Sequence, residues 1–209
     1  MKKFSAILFF FLAFFVVSLA QTSAQDTARR TAQTEDQNGP PKLIATGRFG
    51  KNLIIYFSQT GNTEKLAQTM KQVTGGDLIK IETQEKLPDN EKELIEMTTN
   101  LKKAGTNIKV KTPHPDVSGY DFIFVGSPVW FGDVAEPTAA FLVGMDFMGK
   151  KVIAFGTSGS GPGQAYDHLT KILTNAQVLE GGQIFTRRMM QSPGLEEEVS
   201  AWLLNMTLE

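Results

Sequence analysis

A short run of polar residues has the composition of an anion-binding loop. It consists of Ser58, Gln59, Thr60, Gly61, Asn62 and Thr63, and it contains no Lys or Arg. The apolar run 53–57 before it is typical of a strand that is buried on both faces, and Leu66, Met70 and Val73 after it recur at helical spacing. Backbone N–H groups at the start of that helix, with hydroxyl and amide side chains, can point at one phosphate, and Gly61 lets the backbone approach it closely. The stretch therefore predicts a phosphate site.

An ordinary strand-to-helix turn is the alternative interpretation of the same stretch. In that case Asn62 or Thr63 caps the helix with its side chain. A cap needs only one such residue, whereas the stretch supplies several polar side chains and a glycine. This excess favours the phosphate site over the simple turn.

Two further segments follow predicted strands and have an unusual composition. Residues 126–132 read Gly-Ser-Pro-Val-Trp-Phe-Gly and put Trp130 where a polar loop is expected. An indole can stack on a flat aromatic ligand, which adds about 0.5–1.5 kcal/mol beyond area burial, or it can fold back onto the core, where Trp is mostly found. Residues 157–161 carry only small hydroxyl residues and glycine, which fit close approach to a flat ligand or a plain flexible turn.

Strands and helices alternate regularly along the predicted domain. The apolar runs predict strands at 53–57, 77–81, 120–126 and 151–156, and a fifth between 176 and 185 that is interrupted at Gly181 and Gly182. Helices are predicted from the phosphate loop to Thr74, and at 91–103, 137–143, 164–173 and 195–204. This alternation with short connections predicts an α/β fold with a parallel sheet and helices on both faces. Ligands of such sheets bind at the carboxyl ends of the strands, where the three unusual segments lie.

The pattern Ser58-x-Thr60-Gly61-x-Thr63 after the first strand resembles the phosphate loop of the flavodoxin family. Segments 126–132 and 157–161 follow the third and fourth predicted strands in the order that this family shows, so the resemblance covers about residues 49–209. It implies a flavodoxin-like doubly wound sheet of five parallel strands in the order 2-1-3-4-5. It also implies a noncovalently bound FMN that carries one or two electrons. Residues 157–161 lack the aromatic side chain that stacks on the outer flavin face in many flavodoxins.

The resemblance also assigns roles to the three segments. The FMN phosphate is expected at residues 58–63 and the isoalloxazine ring beside residues 127–132, with the pyrimidine end at the backbone of residues 157–161. The cofactor-binding residues implied in the second and third segments are Ser127, Pro128, Val129, Trp130, Phe131, Gly132, Thr157, Ser158, Gly159, Ser160 and Gly161. No catalytic residue is predicted, because the flavin itself carries the chemistry.

Composition excludes several other classes of protein. The chain has 209 residues, of which 41% are hydrophobic, as expected for one globular domain. The net charge of −1 does not favour a nucleic-acid partner. Without Cys there is no disulfide or thiolate chemistry, and His114 and His168 have no cluster of carboxylates nearby in sequence, so no metal site is expected.

The N-terminus has the pattern of an export signal. Lys2 and Lys3 precede an apolar run at 7–17, and small residues at 18–20 and 22–24 offer cleavage after Ala20 or Ala24. An uncleaved anchor is the alternative, but the run is short of the ~20 apolar residues that span a membrane. We therefore expect a signal peptide at 1–24, a flexible linker at 25–48 and an FMN-binding domain at 49–209. The protein is then exported, to the periplasm or the extracellular space, and meets the membrane only through an uncleaved signal.

Two functions remain open at this point. One is an electron carrier whose FMN exchanges electrons with a redox partner protein. The other is an FMN-dependent NAD(P)H oxidoreductase that passes electrons to a quinone or a similar small acceptor. The small third segment leaves one flavin face open, which favours the oxidoreductase, whereas the scarcity of NAD(P)H outside the cytoplasm favours the carrier.

Overall fold

The computed structural model describes residue 45 and residues 47–208. The predicted signal peptide, and the predicted linker apart from its last few residues, lie outside this range. Within it, Ala45 is buried and the Arg48 guanidinium donates a hydrogen bond to the carbonyl oxygen of Met206. Phe49 packs edge-on against Phe122, with ring centroids 5.0 Å apart. None of the helices described is long and apolar enough to cross a membrane.

The described chain contains seven strands and six helices. In chain order they are β1 (Asn52–Tyr56), α1 (Asn62–Thr74), β2 (Asp77–Lys80), α2 (Glu91–Lys103), β3 (Phe122–Trp130), β4 (Asp133–Val134), α3 (Glu136–Leu142), β5 (Lys151–Ser158), α4 (Ala165–Ile172), β6 (Gln177–Val178), β7 (Gln183–Thr186), α5 (Arg187–Met190) and α6 (Leu195–Asn205).

The sheet confirms the predicted strand order. β2, β1, β3 and β5 are neighbours in that order and are all parallel. The short strands β6 and β7 both pair in parallel with β5, and together they fill the fifth position. The interruption falls at Gly181, which has a φ of 91°, and at Gly182, whose N–H donates to the Tyr166 hydroxyl at 3.1 Å. The Tyr166 hydroxyl thus accepts a hydrogen bond from Gly182 that, in a continuous fifth strand, would go to the backbone of the neighbouring strand.

Apolar side chains alternate between the two faces of the sheet, as expected for strands that are covered on both sides. Leu53 and Ile55 belong to a core that also contains side chains of α2, α3 and α4. Ile54 and Tyr56 belong to a second core, which contains side chains of α1 and α6. The prediction of helices on both faces is therefore confirmed.

Two helix ends were predicted well because residues next to them in the sequence cap the helix. The side-chain oxygen of Asn90 accepts hydrogen bonds from the backbone N–H groups of Lys92 at 2.9 Å and Glu93 at 3.3 Å, and α2 begins where that cap predicts. At the end of α1, Gly75 has a φ of 74° and its N–H donates to the carbonyl of Lys71.

Strands β3 and β5 extend further than the sequence predicted. The predicted ends were residues 126 and 156, whereas pairing continues through Ser127 with Gly156 and through Pro128 with Thr157. The prediction that the second and third segments are loops is therefore wrong for their first residues, which belong to β3 and β5. A polar or proline residue weakens the strand signal in the sequence, but pairing with a neighbour overrides that preference.

Gly126 fits its position because it has no side chain. A Cβ there would overlap the Phe155 ring on the paired strand β5. We predict that Gly126→Ala lowers the free energy of unfolding by about 1–3 kcal/mol, the usual cost of overpacking a core. Gly119→Ala is the control, because a Cβ there meets only the Lys51 side-chain nitrogen at 3.8 Å. Urea unfolding of both variants measures the difference, and equal midpoints for Gly126→Ala and wild type contradict the prediction.

Candidate functional site

A cleft of about 320 Å³ lies at the carboxyl ends of β1, β3 and β5. Residues from all three predicted segments line it, namely Gln59, Thr60, Asn62, Pro128, Val129, Trp130, Thr157, Ser158 and Gly159. The three remaining lining residues, Glu91, Arg187 and Met190, were not predicted. The cleft lies where ligands of parallel α/β sheets bind.

The first segment leaves the start of α1 without a side-chain cap. Gly61 holds the N-cap position with a φ of 88°, and no side chain caps the helix. The amide of Asn62 donates to the Thr60 hydroxyl at 3.3 Å, and the Thr63 hydroxyl lies 2.8 Å from that of Thr157. The alternative interpretation, in which Asn62 or Thr63 caps the helix, is therefore wrong. The first N–H groups of α1 are left for another acceptor.

A buried hydroxyl in the same segment also lacks a partner. Ser58 is 8% exposed, and its Oγ makes no hydrogen bond within the described chain. A buried hydroxyl without a partner is costly, so such atoms call for an explanation. A phosphate oxygen at the loop supplies an acceptor, and open space of at least 4 Å beside the missing Cβ of Gly61 provides room. These observations fit the phosphate group of the expected cofactor.

Two contacts hold the first segment in place. The Thr63–Thr157 hydroxyl contact joins it to the third segment, and both side chains are buried. The side-chain amide of Gln59 donates to the carbonyl of Pro88 at 2.6 Å, which joins the segment to the connection before α2. Gln59 thus positions the loop through its side chain while it also lines the cleft.

The second segment forms a tight hairpin. Trp130 ends β3, is 9% exposed and packs edge-on against Phe57, with ring centroids 5.6 Å apart. Phe131 is 53% exposed with a φ of 52°, and Gly132 has a φ of 80°, so the chain reverses into β4. The Ser127 hydroxyl donates to the carbonyl of Pro128 at 2.9 Å and accepts from the Ala135 N–H at 3.1 Å, so it braces this hairpin. Trp130 contacts the core and lines the cleft at the same time.

Helix α4 fixes the outer side of this hairpin. The Gln164 N–H donates to the carbonyl of Gly132 at 2.7 Å. Nδ1 of His168 lies 2.8 Å and 2.9 Å from the two carboxylate oxygens of Asp133. A second cavity of about 360 Å³ opens beyond the hairpin, with Trp130, Phe131, Asp133 and His168 among its lining residues. Asp133 therefore faces this second cavity and does not line the cleft.

The third segment closes on itself through one side chain. The Ser158 Oγ accepts hydrogen bonds from the N–H groups of Ser160 at 3.3 Å and Gly161 at 2.8 Å, and it contacts the carbonyl oxygen of Gly161. Gly161 has a φ of 144°, a conformation that favours glycine. Gly159 and Ser160 are exposed beside this turn. The segment is thus an organised turn that keeps its glycine backbone at the edge of the cleft.

The acidic side chain nearest the first segment, Glu64, has two polar partners. Glu64, in the first turn of α1, pairs with Lys80 at 2.8 Å and accepts a hydrogen bond from the Tyr56 hydroxyl at 3.3 Å. Burial, followed by the charge of Glu64 and this hydrogen bond, raises the pKa of Tyr56 to about 12. Tyr56 therefore stays protonated at neutral pH. Among the side chains that the structure describes, no group of three or more His, Asp or Glu is placed to hold a metal ion.

The unpredicted lining residues come from outside the three segments. Glu91 is the first residue of α2, and the sequence explains it as an acid that is favourable at the start of a helix. Arg187 and Met190 belong to α5, a single helical turn that follows β7. This helix was not predicted from the sequence. Only the fold brings them to the cleft. The one sequence signal that could have found Arg187 is the basic pair Arg187-Arg188 directly after a predicted strand.

Comparison with known proteins identifies similar sequences and folds. A family model described as flavodoxin matches residues 51–206. A flavoprotein from Lactobacillus acidophilus NCFM, solved in complex with FMN, is 24% identical with a TM-score of 0.58, and the match covers 73% of this chain and 97% of that one. A comparison with curated proteins gave no match.

Two Bacteroides structures are also similar. A candidate flavoprotein from Bacteroides eggerthii DSM 20697 is 24% identical with a TM-score of 0.61, covering 76% of this chain and 99% of that one. Another from Bacteroides uniformis ATCC 8492 is 24% identical with a TM-score of 0.61, covering 75% of this chain and 99% of that one. At this identity the structures support the fold.

Proposed function

This chain belongs to the flavodoxin family, and we propose that it binds FMN in the cleft and transfers electrons outside the cytoplasm. When bound, FMN supplies one-electron and two-electron redox chemistry. The residues of this chain bind the cofactor, orient it and shield part of it from water.

The observation that carries this proposal is the unsatisfied phosphate loop. The start of α1 has no side-chain cap, Gly61 is in a left-handed conformation, and the buried Ser58 hydroxyl has no partner among the described residues. A phosphate accepts from the N–H groups and from the hydroxyl together, and the positive end of the helix dipole favours its negative charge.

The other two segments fit the flat part of the cofactor. Pro128, Val129 and Trp130 form one wall of the cleft, and an indole that stacks on an aromatic ring adds about 0.5–1.5 kcal/mol beyond area burial. Thr157, Ser158 and Gly159 form another wall, where small side chains allow the backbone close to a ligand. These assignments support FMN over a ligand that has only a phosphate.

The second candidate function is an FMN-dependent NAD(P)H oxidoreductase. The observation that favours it is the second cavity beyond the hairpin, which shares Trp130 with the cleft. Its volume of about 360 Å³ suits a small molecule, and apolar Val134 and Val143 line it together with the His168–Asp133 pair. Such a cavity beside a flavin site fits a small electron acceptor, whereas a carrier needs only a surface for its partner protein.

The phosphate assignment is tested at Thr60, which lines the cleft and is exposed. We predict that Thr60→Glu abolishes FMN retention, because its carboxylate repels the phosphate and fills the loop. Thr60→Ser is the control, since it keeps the hydroxyl. The absorbance ratio of flavin to protein after gel filtration reports the loading, and circular dichroism checks that both variants fold. A Thr60→Glu protein that purifies yellow and fully loaded contradicts the assignment.

An absorbance spectrum separates the two functions. The purified protein is mixed with FMN, and NADH or NADPH is then added under nitrogen. We expect a flavin spectrum that stays oxidised until dithionite is added, as for a carrier that awaits a protein donor. Rapid bleaching by the nucleotide favours the oxidoreductase instead. The absence of a bound flavin spectrum overturns the FMN assignment.

Export is supported by the N-terminal pattern of Lys2 and Lys3, the apolar run 7–17 and the small residues that follow. We predict that the protein appears in the periplasmic or extracellular fraction and that its chain begins at Gln21 or Gln25. N-terminal sequencing of the fractionated protein measures both properties. An uncleaved chain in the cytoplasmic fraction contradicts the prediction, and an uncleaved chain in the membrane fraction supports an anchor.

A further inference from the structure

The phosphate loop lacks a full positive charge of its own. Residues 58–63 contain no Lys or Arg, and the first turn of α1 adds the acidic Glu64. A phosphate monoester carries about −1.5 to −2 charges near pH 7, whereas a helix N-terminus offers only about half a positive charge. The loop alone therefore supplies less positive charge than the phosphate carries, and a cation elsewhere in the cleft would strengthen phosphate binding.

The cations near the start of α1 differ in what they contact. Lys80 pairs with Glu64 at 2.8 Å, and the Lys65 side chain donates to the carbonyl of Met190 at 2.9 Å. Both are thus engaged by this chain. Arg187 is the one Lys or Arg among the described lining residues of the cleft, and it forms no ion pair with a described carboxylate. Arg187 is therefore the cation available to a ligand there.

The fold brings Arg187 to the cleft from the end of β7. The Lys65–Met190 hydrogen bond ties α5 to the first turn of α1, and Arg187 begins α5. One guanidinium nitrogen, Nη2, lies 3.2 Å from the position that a Cβ on Gly159 would take. Thr63 and Thr157 join the first and third segments at 2.8 Å. Arg187 thus lies where the start of α1, the third segment and α5 come together.

We propose that Arg187 is the counter-ion of the FMN phosphate. The guanidinium presents several N–H donors in a plane, a geometry that suits two phosphate oxygens at once. The small side of Gly159 leaves the guanidinium room at the edge of the cleft, because a Cβ at that position would crowd it. This inference rests on the proposed function, since it concerns how the same cleft holds FMN.

Riboflavin tests the inference because it has the same ring as FMN and no phosphate. The dissociation constants of FMN and riboflavin are measured by flavin fluorescence for the purified wild type, Arg187→Gln and Arg188→Gln. Arg188 is exposed and is not among the residues that line the cleft, so its variant has the same charge change as a matched control. Arg187→Lys tests whether a single charge without the planar guanidinium restores part of the affinity.

We expect Arg187→Gln to weaken FMN binding by about 10–100-fold, as for loss of a charge-assisted hydrogen bond, and to leave riboflavin binding unchanged. Its FMN affinity should also depend less on salt concentration than that of the wild type. Arg188→Gln should bind both flavins as the wild type does, and Arg187→Lys should lie between wild type and Arg187→Gln.

Two results overturn the inference while the proposed function stands. One is an Arg187→Gln protein that binds FMN as tightly as the wild type. The other is an equal loss of FMN and riboflavin, which places the effect of Arg187 on the ring or on the fold. A wild-type protein that binds neither flavin is a different failure, because it removes the proposed function and the inference with it.

Discussion

The cleft depends on the close parallel pairing of β3 with β5, and two glycines make this pairing possible. A Cβ at Gly126 would overlap the Phe155 ring, and one at Gly156 would overlap the backbone oxygen of Ser127. Because these positions carry no side chain, the two strands run together as far as Thr157. Their carboxyl ends, with that of β1, then bring the three polar and glycine-containing segments to one edge.

Local signals in the sequence predicted most of the scaffold. The start of α2 was predicted because Asn90 caps it, and the strand order followed from a resemblance that the sheet confirms. What could not be predicted depends on contacts between distant residues. The extension of β3 is stabilised by pairing with β5, and Arg187 reaches the cleft because it directly follows β7, which pairs with the end of β5. Neither contact leaves a periodic pattern in the sequence.

Trp130 shows why a residue type alone leaves a role open. The sequence allowed either a ring that stacks on a ligand or a ring that packs on the core. In the structure Trp130 is 9% exposed and contacts Phe57 edge-on, and it still lines the cleft. An aromatic side chain held from behind in this way keeps its position without a ligand.

The uncapped start of α1 contrasts with α2, whose first N–H groups are bound by the side chain of Asn90. Under the proposed function, a phosphate bound at the start of α1 would accept from its first N–H groups as Asn90 does in α2. A ligand that binds only the folded state adds its binding free energy to stability. Loss of that phosphate would then leave the first turn of α1 free to fray, and slow amide hydrogen exchange there would report cofactor occupancy.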